Sequence, residues 1–151
     1  MASVRTAEVE WVGGLLDGEG RLVSTTTGTL PNFEVTWNAR IDVDRSLTSP
    51  EELLAAAHAS CFAMQFTHDL AGAGGEPEEV RVSASVSFEA GRGVTGSALS
   101  ARVSVTGLSD EKIREIAESA KANCPISRAL AGVEITLELP ELAPPAENAS
   151  A

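Results

Sequence analysis

The segment "SPEELLAAAHASCFAMQFTHDLA", residues 49 to 71, constrains this chain more than any other. Ser49 suits a helix N-cap, Pro50 the first helical position, and Glu51 and Glu52 the positive end of the helix dipole. Glu52 stands three residues after Ser49, which is the spacing of a capping box. The helix should run to about Leu70 or Ala71 and stop at the glycines of "GAGGEP". Between Leu53 and Phe66 only His58, Ser60 and Gln65 are polar. A helix apolar almost all round is a buried helix, and a chain of 151 residues has little material to cover every side of one. The alanines at 55, 56, 57, 59 and 63 would let a second helix approach closely. The pattern therefore predicts a homodimer.

Around this helix the chain reads as α+β. "RTAEVEWV", "RLVSTTTG" and "FEVTWNARIDV" alternate polar with apolar residues or are rich in Thr and Val, as strands are. Turn signals at Gly13-Gly14, at Asp17 to Gly20 and at Leu30-Pro31-Asn32 separate them. Two further strands, "EEVRVSASVSFEA" and "ALSARVSVTGL", flank the Gly-rich "GRGVTG". A second helix should open at Ser109, with Ile113, Ile116, Ala117 and Ala120 on one face. Cys124-Pro125 interrupts it, "PISRALAG" restarts a short helix, and "VEITLEL" reads as a closing strand. No repeat is present. The expectation is a single domain over 1–139, with a Pro-, Ala- and Glu-rich tail over 140–151 expected to be disordered.

Charge limits the partners. With 22 acidic against 11 basic residues the formal charge is −11, a surface that repels nucleic-acid phosphates and anionic lipid. No segment approaches the roughly 20 apolar residues of a membrane span. The N-terminus lacks the basic-then-apolar pattern of a secretory signal, so the chain reads as soluble and cytoplasmic. Two cysteines in that compartment are more often reduced, catalytic or metal-bound than a permanent bridge.

Cys124, just before a proline that restarts a helix, would lie near that helix's N-terminus, where backbone N–H groups favour a thiolate. A buried thiol at a helix break is the alternative. Cys61, in mid-helix, would have its pKa raised by apolar surroundings, so it either only packs or needs a cationic partner. Arg40 is a candidate cation; read as part of a strand, it faces away from Ala39 and Ile41. Glu51 precedes Cys61 by ten residues, about 15 Å of helix rise. Glu51 can therefore cap the helix or act in a site built with another chain, but it cannot reach its own Cys61. His58 shares a helix face with Cys61, as a reactive partner or as a packed, hydrogen-bonded histidine. His58 and His68 are again about 15 Å apart along the helix. They cannot share one zinc ion, so no closed tetrahedral site forms from the two cysteines and two histidines.

Together these segments resemble the OsmC/Ohr family of thiol-dependent hydroperoxide reductases, and its OsmC branch in particular. "SPEELLAAAHASCF" is similar to the family's helix motif, "KANCPIS" to its second cysteine motif, and "GRLVSTTTGTL" and "WNARID" to the branch's N-terminal strands. The resemblance spans roughly Trp11 to Leu139. It implies antiparallel sheets packed with long central helices in an intertwined homodimer, with sites built by both chains. It further implies that Cys61 is the peroxidatic nucleophile, Cys124 the resolving thiol, Arg40 the cation beside the thiolate and Glu51 the anchor of Arg40. Glu51 would then serve a site shared between chains. Ser49 stands where the family usually has Asn, and Ser caps equally well. The Ohr branch takes its arginine from an earlier Gly-rich loop, here "GEGR", which makes Arg21 a rival to Arg40. His58 is aromatic in Ohr relatives, which speaks against an essential chemical role.

The implied activity is reduction of alkyl or fatty-acid hydroperoxides through a Cys61 sulfenic acid and a Cys61–Cys124 disulfide. A lipoyl protein or small dithiol would reopen that disulfide, with no cofactor and no metal. Phe62 and Met64 would contribute an apolar lining that favours organic substrates. The other readings are a redox sensor or small-ligand-binding module on the same fold, and a structural dimer whose cysteines only pack.

Overall fold

The computed structural model describes residues 1–142. Residues 143–151, most of the expected tail, lie outside the described residues. The chain forms two compact units, Met1–Leu53 with Phe88–Gly93, and Leu54–Ser87 with the chain from Val94 onward.

The first unit holds a three-stranded sheet of β1 (Ala7–Val12), β2 (Glu19–Thr25) and β3 (Glu34–Val35), in that order. β1 and β2 pair antiparallel, and β3 adds only the pairs Gly20 with Val35 and Arg21 with Glu34. Gly20 is required by packing. A Cβ there would stand 2.8 Å from the Trp11 ring and 3.0 Å from a Val35 methyl.

The strand expected over "FEVTWNARIDV" ends after two residues, and Trp37–Arg40 form a short helix, α1. The cause is local capping. The Thr36 hydroxyl accepts a hydrogen bond from the Ala39 N–H at 3.1 Å, a bond that sheet pairing would forfeit. Asp42 then takes a left-handed conformation (φ 65°) that ends the turn. Arg40 is thus a helical residue, and its strand-based facing does not hold. Trp37 and Arg40, three apart on α1, both reach Phe88. The Trp37 ring meets it edge-on with centroids 6.3 Å apart, and the Arg40 guanidinium lies 4.4 Å above it.

α2 spans Pro50–Gly72, starting and ending close to the expected limits. The Ser49 hydroxyl accepts from the Glu52 N–H at 3.2 Å. The reciprocal half of the capping box is absent, because the Glu52 carboxylate takes the Thr48 hydroxyl instead.

In the second unit β4 (Glu76–Glu89), β5 (Gly93–Thr106) and β6 (Glu134–Glu138) form the second sheet in that order. The turn between β4 and β5 is only residues 90–92. Val94 to Gly96, expected in the connection, already belong to β5. β6 pairs parallel to β5, a departure from wholly antiparallel sheets. A parallel neighbour needs a long crossover, here supplied by α3 (Asp110–Asn123) and α4 (Pro125–Ala129).

The core of this unit follows from the two periodicities. His58, Phe62, Phe66 and Leu70 are buried at spacing four along α2, and Ile113, Ile116, Ala117 and Ala120 along α3. Against them pack alternate residues of the strands: Val80, Val82 and Ala84, then Leu99, Ala101, Val103 and Val105, then Ile135 and Leu137. Full burial of each large side chain contributes roughly 2 kcal/mol. Leu139 and Leu142 also pack on this core.

Candidate active site

Two groups of candidate side chains emerge, one in each unit. In the first, Arg40 donates from both Nε (3.0 Å) and Nη2 (2.8 Å) to the same Glu51 oxygen, Oε1. Glu51 is buried, while the Arg40 side chain is 35% exposed. Glu51 Oε2 is buried with no hydrogen-bond partner. A carboxylate with one oxygen doubly engaged and the other empty retains capacity for one more donor. The rival arginine is engaged elsewhere, since Arg21 pairs with Glu19 at 3.0 Å on an exposed part of β2. Glu51 therefore selects Arg40 within its own chain. A cleft of about 500 Å³ lined by Arg21, Leu22, Phe33 and Leu47 belongs to this unit and contains no thiol.

In the second unit, α2 carries Cys61 and the α3–α4 junction carries Cys124, both as free thiols. Cys124 is fully buried within the core cluster, and Cys61 packs against that cluster, partly buried. The two thiols meet at the same core and are close enough to influence each other's ionisation. Their acidities diverge. Burial pushes the Cys61 thiol above its ordinary value; the Ile126 N–H opposes this and Cys124 adds to it. Cys124 is also opposed by burial, but the Ser127 N–H, Cys61, the Ser127 hydroxyl and the Ile126 N–H together hold it below its ordinary value. Those N–H groups act on the sulfur without a close capping hydrogen bond.

His58 is the buried polar member of the α2 stripe. Its Nδ1 lies 2.7 Å from Ser97 Oγ on β5, and its Nε2 lies 2.8 Å from Ser127 Oγ on α4. Both serines are buried. The ring nitrogens are spent on hydroxyls, so His58 is neither a base on Cys61 nor open to a metal. Among the described residues no group of three or more His, Cys, Asp or Glu is placed to hold a metal ion. Ser97 and Ser127 escaped the sequence reading. Ser97 has the inward parity of Leu99, Ala101 and Val103, and a serine in an inward row was the available signal. Phe62 and Met64 do not line one pocket within the chain. Phe62 is in the core, whereas Met64, about 200° around the helix, is 75% exposed.

Burial depresses the His58 pKa below 6.5, and this has a pH consequence. The native state keeps the ring neutral where the unfolded chain would protonate it, so acid favours unfolding. Stability is full above pH 6.5 and falls from there down to the depressed native value. Asp42 and Asp44, whose pKa values are also lowered, act only below 3.8, in a separate window. The melting temperature should therefore drop more between about pH 7.5 and pH 5.5 in the parent than in His58→Gln, which cannot titrate. Equal drops would contradict a buried neutral imidazole.

The profile of the family described as OsmC-like protein matches residues 43–138. The chain is 36% identical over 137 residues to Peroxiredoxin OsmC of Escherichia coli (strain K12), covering 89% of this chain and 94% of that one. Among solved structures, it is similar to an organic hydroperoxide resistance protein OsmC from Legionella pneumophila. There the TM-score is 0.70 and the identity 27%, over 91% of this chain and 98% of that one. The organic hydroperoxide resistance protein OhrB of Bacillus subtilis gives a TM-score of 0.63 and 30% identity, over 89% and 97% of the two chains.

Proposed function

The chain belongs to the OsmC-like protein family, and from that membership and its paired thiols we propose that it is a thiol-dependent peroxidase reducing organic hydroperoxides. The observation that carries the reading is that Cys61 and Cys124, 63 positions apart in sequence, are free thiols brought to one core. In the proposed cycle the Cys61 thiolate attacks the terminal oxygen of ROOH. The O–O bond breaks, Cys61 becomes a sulfenic acid, and the alkoxide takes a proton and leaves as ROH. Cys124 then attacks the sulfenic sulfur, forming the disulfide and releasing water. A dithiol, lipoyl-bound or small, restores both thiols by exchange.

Cys61 is the less acidic thiol in the chain alone, so the first step requires a cation. Arg40 is the proposed one, held by Glu51 and Phe88. Ionising a thiol near pKa 8.5 gains only some tens-fold at neutral pH. The remaining acceleration is assigned to positioning the peroxide and stabilising the leaving alkoxide.

We further propose that a second copy covers the outer side of α2. Ala56, Ser60 and Met64 are exposed along the face opposite Phe62 and Phe66, and no described residue of this chain buries them. Met64 would then help line a pocket completed by the partner. Two measurements on one preparation test this reading. With excess dithiol the protein should turn over repeatedly, with kcat/KM for an alkyl hydroperoxide at least about tenfold above that for hydrogen peroxide. It should also sediment as a dimer. Oxidation without turnover would instead indicate a redox sensor, equal kcat/KM values would remove the substrate preference, and a monomer would remove the shared site.

A further inference from the structure

Buried polar groups persist in a core only when each is satisfied, and the trio Ser97, His58 and Ser127 meets that condition through two short hydrogen bonds. The trio has an unused member. A neutral imidazole offers one donor and one acceptor, so one serine donates to the ring and the other accepts from it. When Ser97 donates to Nδ1, Nε2–H donates to Ser127 Oγ, which leaves the Ser127 hydroxyl proton free. Ser127 is the third residue of α4, one turn after the N-cap Cys124, and the Arg128 N–H bonded to the Cys124 carbonyl at 3.0 Å closes that turn. An acceptor for the free proton stands three residues back on the same turn, the Cys124 sulfur, whose acidity the Ser127 hydroxyl raises.

We infer that Ser127, oriented by His58 and through it by Ser97, is a positioning residue that donates a hydrogen bond to the Cys124 thiolate. The alternative orientation, with Ser127 donating to Nε2, suits the neutral thiol, whose S–H can then be accepted by the hydroxyl oxygen. Tautomer and hydroxyl rotation thus follow the ionisation of Cys124 without moving a heavy atom. The groups facing Cys124 are Cys61 from α2 and, from α4, the Ser127 hydroxyl with the N–H groups of Ile126 and Ser127. His58 and Ser97 stand behind Ser127.

The use of this device in disulfide formation rests on the proposed peroxidase cycle. There Cys61–SOH and Cys124–SH give a disulfide and water: the S–S bond forms, the S–O bond breaks, and the thiol proton leaves on the water. Ser127 lowers the cost of separating that proton from the sulfur before attack.

The test is a titration of Cys124 by thiolate ultraviolet absorbance in the full-length Cys61→Ser protein. The chain has no tyrosine, so no tyrosinate signal interferes. Ser127→Ala should raise the Cys124 midpoint by about one pH unit, as expected for losing one hydrogen bond to a charged group. Ser127→Thr, which keeps the hydroxyl, should restore it. His58→Phe should raise the midpoint as Ser127→Ala does, and the double variant should go no further. His58→Gln, with an amide that can still donate to Ser127, should stay near the parent. An unchanged midpoint in Ser127→Ala, or a shift there but not in His58→Phe, overturns the inference. The titration needs no peroxide. If the two-cysteine protein forms no disulfide with organic hydroperoxide, the peroxidase reading falls while the titration still decides the role of Ser127.

Discussion

Cys61→Ser is expected to abolish hydroperoxide reduction, lowering turnover by about 10⁴-fold or more, because a serine hydroxyl is scarcely ionised where a thiol is. Cys124→Ser should behave differently. It keeps the nucleophile, so one equivalent of hydroperoxide should still be consumed, leaving a chain heavier by one oxygen atom. The parent should instead lose two hydrogen atoms as the disulfide closes. The asymmetry matters because the resting acidities run the other way, with Cys124 depressed and Cys61 raised. Acidity alone would name Cys124 as the first thiol to react, yet Cys124 is fully buried and Cys61 is not. Intact-mass measurement after one equivalent of peroxide decides between them. Should Cys124→Ser fail to oxidise while Cys61→Ser gains the oxygen, the two roles are reversed.

The second large effect is expected at the Arg40–Glu51 pair. Arg40→Ala leaves a buried carboxylate without its cation, a loss near 3 kcal/mol at the lower end for broken buried pairs, since Arg40 is 35% exposed. If Arg40 also serves the reaction, kcat/KM should fall by about 10²-fold or more. Arg40→Lys should recover little of either, because an ammonium cannot supply the Nε and Nη2 fork or lie flat over Phe88. Replacing both members by methionine separates the two effects. Arg40→Met with Glu51→Met should regain most of the stability, as apolar substitutes for buried ion pairs often do, while activity stays low. Chemical denaturation measured beside steady-state kinetics reads both quantities. Recovery of activity in the double variant would confine the pair to a structural role.

Several parts of this site could be read from the sequence because their signals are local. The cap at Ser49, the proline at 50 and the apolar run of α2 lie within one segment, and they set the helix that carries Cys61, Glu51 and His58. Cys124-Pro125 likewise announces a helix break with a thiol at its edge, and the break is there. Local alternation misled at "WNARIDV". Period-two apolarity was present, but one Thr36 capping bond and the Phe88 ring favoured a helix turn.

What the sequence by itself determined is the order of the main elements, the apolar run of α2, the face of α3 that is buried, and the two thiols with an acidic residue ahead of them. Those properties depend on neighbours within a turn or two of helix, or on strand parity. Only the tertiary structure decided which arginine Glu51 takes, which groups surround each thiol and why a histidine lies inside an apolar core. The partners concerned are distant in sequence: Ser97 lies 39 residues from His58, and Ser127 lies 69. Hydrogen bonding and desolvation depend on what folding brings within a few ångströms, and no periodicity in the chain encodes that distance.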